Sequence, residues 1–410
     1  MSDTRPAAAR RRWRFGPGFV VTAAFIGPGT VITAGHAGAL FGYSLLWTLL
    51  VAIAATIVLQ EMAGRLGLVT RCGLASAIHK SIPNASAQRA ATLLVLAAIV
   101  VGNTAYQTGN LIGAGLGFSI LTGASVRLGA MMLGGIAMLL LAFGGGARRL
   151  MKLLIAVVIL MSIAFVSTAM LVRPDASQVL REVFTFSLPE GSMLTAMALI
   201  GTTVVPYNLF LHARVVQERW SEANSLRHSL RESRLDTLLA VTLGGLVTMA
   251  ILVTAAVAFG GTADGAISRD DLARQLQPLL GPMGKYLFAA GLLAAGLTSA
   301  ITAPLAAGFV VSESVRQSSP SLARNASLIV ALVGTVLAGA SGQSPQVTIV
   351  FAQAANGLLL PLVAAFLLWT MNRPQLLGQN CNNWMLNIAA GFVVGIAALP
   401  GVKSLIGLFH

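Results

Sequence analysis

Gly27-Pro28-Gly29-Thr30 interrupts the first long apolar run of this chain, which extends from about Gly16 to Leu40. A helix crossing a bilayer keeps its backbone hydrogen bonds internal. Gly-Pro-Gly in the middle breaks that ladder and leaves N–H and C=O groups that hydrocarbon cannot satisfy. Such a break lines a polar cavity. A second one, Thr202-Thr203-Val204-Val205-Pro206-Tyr207-Asn208, falls in the sixth apolar run. Two interrupted helices in corresponding halves of an apolar chain point to the midplane site of a secondary transporter.

The remainder of the chain agrees with a membrane setting. Its 410 residues are 56% hydrophobic and only 10% charged, with a mean hydropathy of +0.81, which excludes a water-soluble globular protein. The formal charge of +14 does not indicate nucleic acid, because the basic residues occupy short segments between apolar runs, as topology determinants do. Cys72 and Cys381 are far apart and argue against a disulfide framework. Arg10, Arg11, Arg12 and Arg14 ahead of an apolar run imitate a signal peptide, but no small-residue cleavage site follows before the break, so a retained first span is expected.

Apolar runs of membrane-crossing length predict eleven helices, near 17–40, 44–65, 88–120, 127–144, 150–172, 191–217, 236–260, 281–314, 322–341, 345–371 and 384–408. The segments between them alternate in charge. Arg5 to Arg14, Arg65 to Arg89, Arg148 to Lys152, Arg214 to Arg234, Arg316 with Arg324, and Arg373 together place 20 of the 27 basic residues on one side. The positive-inside rule then predicts a multi-pass protein of the plasma (inner) membrane, with its N-terminus cytoplasmic and its C-terminus outside. The segments Pro174 to Pro189 and Thr262 to Gln277 read as short external loops. The whole chain, 1–410, is expected to form one transmembrane domain. It would comprise a basic tail (1–16), helices 1–5 (17–172), helices 6–10 (191–371) and a final helix (384–408).

Several polar side chains fall where such a cavity would lie. Thr30 could contact substrate or cap the second half of helix 1; Asn208 could do likewise or tie loose backbone together at the second break. His36 sits about two turns into the second half of helix 1, as a pH-sensitive gate or a hydrogen-bonded neutral imidazole. Gln107, Gln353 and Asn356 either line the cavity or bond between helices, the last two being one turn apart on one face. There is no P-loop, no HExxH and no Cys/His cluster, so neither ATP-driven transport nor enzymatic chemistry is expected, and no cofactor is called for. The expected partners are the lipid bilayer and a small ion or polar solute, with no nucleic acid and no obligate protein.

The chain resembles the Nramp family of divalent-metal transporters over nearly its whole length. Gly16-Pro17-Gly18-Phe19, Gly27-Pro28-Gly29-Thr30 and Phe41-Gly42-Tyr43-Ser44-Leu45-Leu46-Trp47 follow the family's opening, whose break reads Asp-Pro-Gly-Asn. Val205-Pro206-Tyr207-Asn208-Leu209-Phe210-Leu211-His212 is similar to its sixth-helix motif Met-Pro-His-Asn-Leu-Tyr-Leu-His. The run Gly291 to Ser299, continuing to Glu313, resembles its eighth helix, and Gln353 with Leu360-Pro361 its tenth. The resemblance implies an all-α, LeuT-type fold of eleven transmembrane helices: an inverted five-plus-five repeat and one more, with helices 1 and 6 broken.

It also exposes departures. The family's Asp, Asn and Met metal ligands correspond to Gly27, Thr30 and Val205; its acidic pair on helix 3 corresponds to Thr104 and Gln107, and the first of its two helix-6 histidines to Tyr207, leaving His212. By this resemblance the substrate site would comprise Gly27, Pro28, Gly29, Thr30, Thr202, Val205, Tyr207, Asn208, Gln353 and Asn356. Coupling or gating would fall to His36, Thr104, Gln107, His212 and Glu313. A dication at the bilayer midplane without a carboxylate is costly, and broken helices present positive N–H ends. The expected substrate is therefore a small, bicarbonate-like anion or polar solute. The alternative is a divalent metal (Mn, Fe or Mg) in an atypical site, and the second alternative a non-transporting sensor.

Overall fold

The computed structural model describes residues 26–143, 147–220, 225–260, 269–315, 319–342 and 344–407. The regular elements among them are all helical: α1 (Pro28–Phe41), α2 (Leu46–Thr70), α3 (Leu74–Ser81), α4 (Ala85–Thr122), α5 (Val126–Phe143), α6 (Ala147–Leu171), α7 (Ala176–Phe184), α8 (Met193–Thr203) and α9 (Pro206–Arg219). They continue with α10 (Leu226–Phe259), α11 (Arg269–Arg274), α12 (Gln277–Leu280), α13 (Met283–Ser314), α14 (Pro320–Ala340), α15 (Pro345–Met371), α16 (Pro374–Leu377) and α17 (Trp384–Gly407). Nine segments of the described residues, one of them the broken Met193–Arg219, are long and apolar enough to cross a bilayer. The basic tail and the first half of helix 1 lie outside the described residues.

Local chemistry sets the helix ends. The Asn84 side chain accepts the N–H groups of Ser86 and Ala87 at the start of α4, and Gly123, at φ 78°, closes that helix in the left-handed conformation that glycine adopts without strain. At about 1.5 Å per residue, the 38 residues of α4 run well beyond a hydrocarbon core of roughly 30 Å. The same holds for α10, which starts ten residues before the predicted 236. Its first turns carry Arg227, Arg231, Glu232 and Arg234, so hydropathy cannot find them, whereas Ser225 caps them by accepting the His228 N–H. The two segments expected to be external loops also hold short helices, α7 and α11, and α12 follows at the end of the second. Asp175 builds the first by capping Ser177 and Gln178.

The broken helices sit in the middle. α1 packs on α10 and touches α8 and α15; α15 packs on α8 and α4; α4 and α13 form an extensive antiparallel pair beside them. α5, α6, α14 and α17 surround this centre and expose Phe143, Met170, Ile329 and Phe392, as a lipid-facing surface requires.

Contacts between distant segments sort the two ends of the bundle. At one end Trp47 Nε1 donates to the Ser187 carbonyl at 2.7 Å, and its ring meets Phe186 edge to face. At the other, Arg65 donates to the carbonyls of Asn380 (2.7 Å) and Cys381 (3.1 Å) and to Asn382 Oδ1 (2.6 Å). There too Arg71 reaches the Trp220 carbonyl and Arg234 pairs with Glu61 at 2.8 Å. Segments that the charge alternation puts on one side of the membrane meet one another. Both cysteines are free thiols.

Candidate functional site

The start of α1 and the break between α8 and α9 come face to face. Gly27, extended at φ −99° and ψ −178°, is the residue from which α1 starts, with Pro28 in its first turn. Val205, also extended, starts α9 with Pro206 in the same role, one residue after α8 has ended. Proline fits a first helical turn because that turn's N–H groups have no intrahelical partner. The breaks are tied by Thr30 and Thr202, whose hydroxyls lie 2.9 Å apart and fully buried. Thr30 is thus not the cap of α1; that position belongs to Gly27, which has no side chain to offer. The neighbouring Thr203 carbonyl accepts the Thr56 hydroxyl at 3.3 Å, bringing α2 to the same place.

Around the breaks stand buried amides. Gln353 on α15 lies directly against the α-carbon of Gly29, and its Nε2 is 3.7 Å from where a β-carbon on Gly109 would be. Both polar atoms of Gln353, both of Asn208 and the Nδ2 of Asn356 find no hydrogen-bond partner among the described residues, although all three side chains are buried. Asn208 therefore does not mend the broken backbone. Asn356 is one turn from Gln353 and approaches Gly102. Tyr207 meets Tyr106 edge to face at 5.5 Å, coupling α9 to α4 through rings that are fully buried. Val205 is buried beside them and offers no donor.

The coupling and gating candidates are dispersed. Thr104 bonds back to the Val100 carbonyl of its own helix at 2.7 Å and is only half-buried. Gln107 donates to the Ala300 carbonyl at 3.1 Å and packs against Gly334 of α14, so it joins helices away from the breaks. His212 Nε2 lies 3.2 Å from the Thr237 hydroxyl and ties α9 to α10. The half-buried His36 has an unpaired Nδ1. Glu313 accepts the backbone N–H groups of Ala75 and Ser76 and so caps α3, whose own cap residue, Gly73, has no side chain. It borders a cavity of about 530 Å³ that is also lined by Arg71, Lys80 and Arg214.

On α4, sequence reasoning singled out Gln107 but passed over its neighbours on the same face, Asn103 and Asn110. Asn103, Gln107 and Asn110 recur at helical spacing, a pattern visible in the chain itself. Asn103 Nδ2 donates to the Ala303 carbonyl at 3.0 Å and Gln107 to that of Ala300, whereas both amide atoms of the fully buried Asn110 stay unpaired. A β-carbon on Gly27 would lie 3.7 Å from Asn110 Oδ1, 3.5 Å from the Tyr106 hydroxyl and 3.0 Å from Ser299 Oγ. The result is a buried cluster of amides and hydroxyls that carries no charged side chain. Among the described residues no three His, Cys, Asp or Glu side chains are grouped to hold a metal.

Comparison with known proteins covers the chain almost end to end. Residues 18–407 match the family described as Natural resistance-associated macrophage protein-like. A divalent metal cation transporter MntH 1 of Pseudomonas aeruginosa is 32% identical over 407 residues, 95% of this chain and 90% of that one. A divalent metal cation transporter MntH of Acidiphilium cryptum is 30% identical over 410 residues, 98% and 91% of the two chains. Among solved structures, a variant of the Eremococcus coleocola manganese transporter superposes with a TM-score of 0.76 at 20% identity, covering 95% of this chain and 85% of that one. The inward-facing conformation of Mhp1 does so at 0.54 and 16% identity, covering 96% and 92%. These two likenesses establish a LeuT-type arrangement of helices.

Proposed function

The chain belongs to the Nramp family, and we propose that it is a secondary transporter of divalent metal cations that binds its substrate through neutral oxygen donors. The observation that carries this is the set of buried amides around the start of α1 and the break between α8 and α9, with both polar atoms of Asn208 and Gln353 and the Nδ2 of Asn356 unpaired. An amide left unpaired in the interior costs about 1–3 kcal/mol, and amide oxygens are ligands for hard dications that keep part of their water shell. The curated relatives, named as divalent metal cation transporters, support the same substrate class. They weigh against the anion that the missing carboxylates suggested.

In this proposal Gly27, Pro28, Gly29 and Thr30 with Thr202, Val205, Tyr207 and Asn208 form the two walls of the site, and Gln353 shuts against α1. His36, His212 and Glu313 act in gating rather than binding, and the basic end of the bundle faces the cytoplasm. The repeat boundaries 17–172 and 191–371 belong to the same proposal. A small anion stays as the second reading, favoured by one observation: none of the side chains placed around the breaks is acidic.

The test is uptake into liposomes of Mn and Mg against a panel of small anions that includes bicarbonate, with an internal pH readout. Saturable metal uptake is the expected result. Anion-dependent pH change without metal flux would overturn it in favour of the second reading, and no flux of any kind would favour a sensor.

A further inference from the structure

We propose that Asn110 is a substrate-binding residue, presenting its amide oxygen to the cation beside Gly27, and that it sets the preference of the site for hard, partly hydrated dications. This rests on the metal reading above and deepens it.

The polar ladder on α4 carries the inference. Its first two rungs, Asn103 and Gln107, each donate an amide N–H across to α13, at Ala303 and Ala300. The helices are antiparallel, so the next rung would meet α13 near Gly296, where the backbones come so close that a β-carbon on Gly296 would strike the Asn110 carbonyl. Asn110 makes no such bond: its side chain is fully buried and both of its amide atoms are unpaired. Its Oδ1 instead faces the α-carbon of Gly27, in the company of Ser299 Oγ and the Tyr106 hydroxyl.

A buried amide without partners is costly for a structural residue, whereas a ligand repays that cost. Gly27 adds no side chain of its own where Asn110 Oδ1, the Tyr106 hydroxyl and Ser299 Oγ converge. On the other wall, Gln353 and Asn208 are unpaired in the same way. Oxygen donors of this neutral kind suit Mg and Mn, ions that tolerate retained waters. They give no advantage to Cd, which prefers a thioether or thiolate, and Val205 supplies none.

The experiment uses the full chain in liposomes and the metal ions alone. Wild type is expected to take up Mn and Mg with little inhibition by Cd. Asn110→Ala should raise KM for Mn by about tenfold with a maximal rate close to wild type, the split expected when one ligand is lost from substrate binding. Asn110→Asp, of nearly the same shape, should lower KM and make uptake fall as acidification protonates the new carboxylate. A purely structural asparagine would show neither the lowered KM nor the new pH dependence. If wild type is active and both variants keep its KM, the assignment of Asn110 is overturned while the metal reading stands. If wild type neither transports Mn nor is thermally stabilised by it, the metal reading falls and this assignment with it.

Discussion

Thr30 and Thr202, 172 residues apart in the chain, share a buried hydrogen bond of 2.9 Å that joins the two helix breaks. Replacing Thr30 by a similar apolar residue deprives the Thr202 hydroxyl of this bond, while replacing both leaves no such hydroxyl to satisfy. Thr30→Val or Thr202→Val alone should cost about 1–2 kcal/mol, and the double variant less than their sum. Thermal unfolding of the four proteins in detergent checks this; simple additivity would mean that the two hydroxyls do not support each other.

Gly29 leaves no room for a β-carbon, because the Gln353 amide fills that place. Gly29→Ala should destabilise the protein by about 1–3 kcal/mol through overpacking. In a Gln353→Ala background the same change should be nearly neutral. Gly135→Ala, where nothing lies within 4 Å, serves as control and should leave the melting temperature unchanged or slightly raised.

Arg65 is almost wholly buried and holds Glu61 at 3.1 Å together with three acceptors on the segment between α15 and α17. Arg65→Ala should cost about 2–3 kcal/mol, since bonds to charged groups are the stronger kind. Arg65→Lys should recover little of it, because one ammonium cannot serve acceptors arranged for a planar fork. Limited proteolysis should then cut within 378–383 sooner than in wild type.

Asp175 caps α7 with its carboxylate, and bonds from the Ser177 hydroxyl and the Gln178 and Ser177 N–H groups hold its pKa below the ordinary value of 3.8. A depressed folded-state pKa means that the cap's contribution is complete above about pH 3.8 and is lost as pH falls through the lower, folded value. Amide exchange at Ser177 and Gln178, corrected for its intrinsic pH dependence, should therefore show protection falling only at strongly acidic pH. Asp175→Asn, which still caps, should abolish that acid step.

Much of the architecture was legible beforehand because its causes are local. Pro28 and Pro206, each beside an extended residue, stand in the first turn of a helix that starts inside an apolar run, so both starts and most helix bounds could be read directly. The amphipathic α7 and the charged start of α10 escaped because hydropathy marks bilayer contact and not helicity. The site was legible only in part. Thr30, Thr202, Asn208 and Gln353 do gather at the breaks. Thr104 and His212, brought in by correspondence with family positions, are engaged with Val100 and Thr237. Asn110 carries no motif and looks, in the chain, like its neighbour Gln107.

That last pair shows where the division falls. Apolar length, the two proline breaks and the placement of 20 of the 27 basic residues are one-dimensional properties, and they settle a polytopic membrane protein with two broken helices. Which amide is bonded and which is unpaired depends on acceptors nearly two hundred residues away, on α13, and on how closely two helices approach. A hydrogen bond is decided within a few tenths of an ångström. Only the packed fold could separate Gln107, which holds helices together, from Asn110, whose unpaired Oδ1 turns toward Gly27.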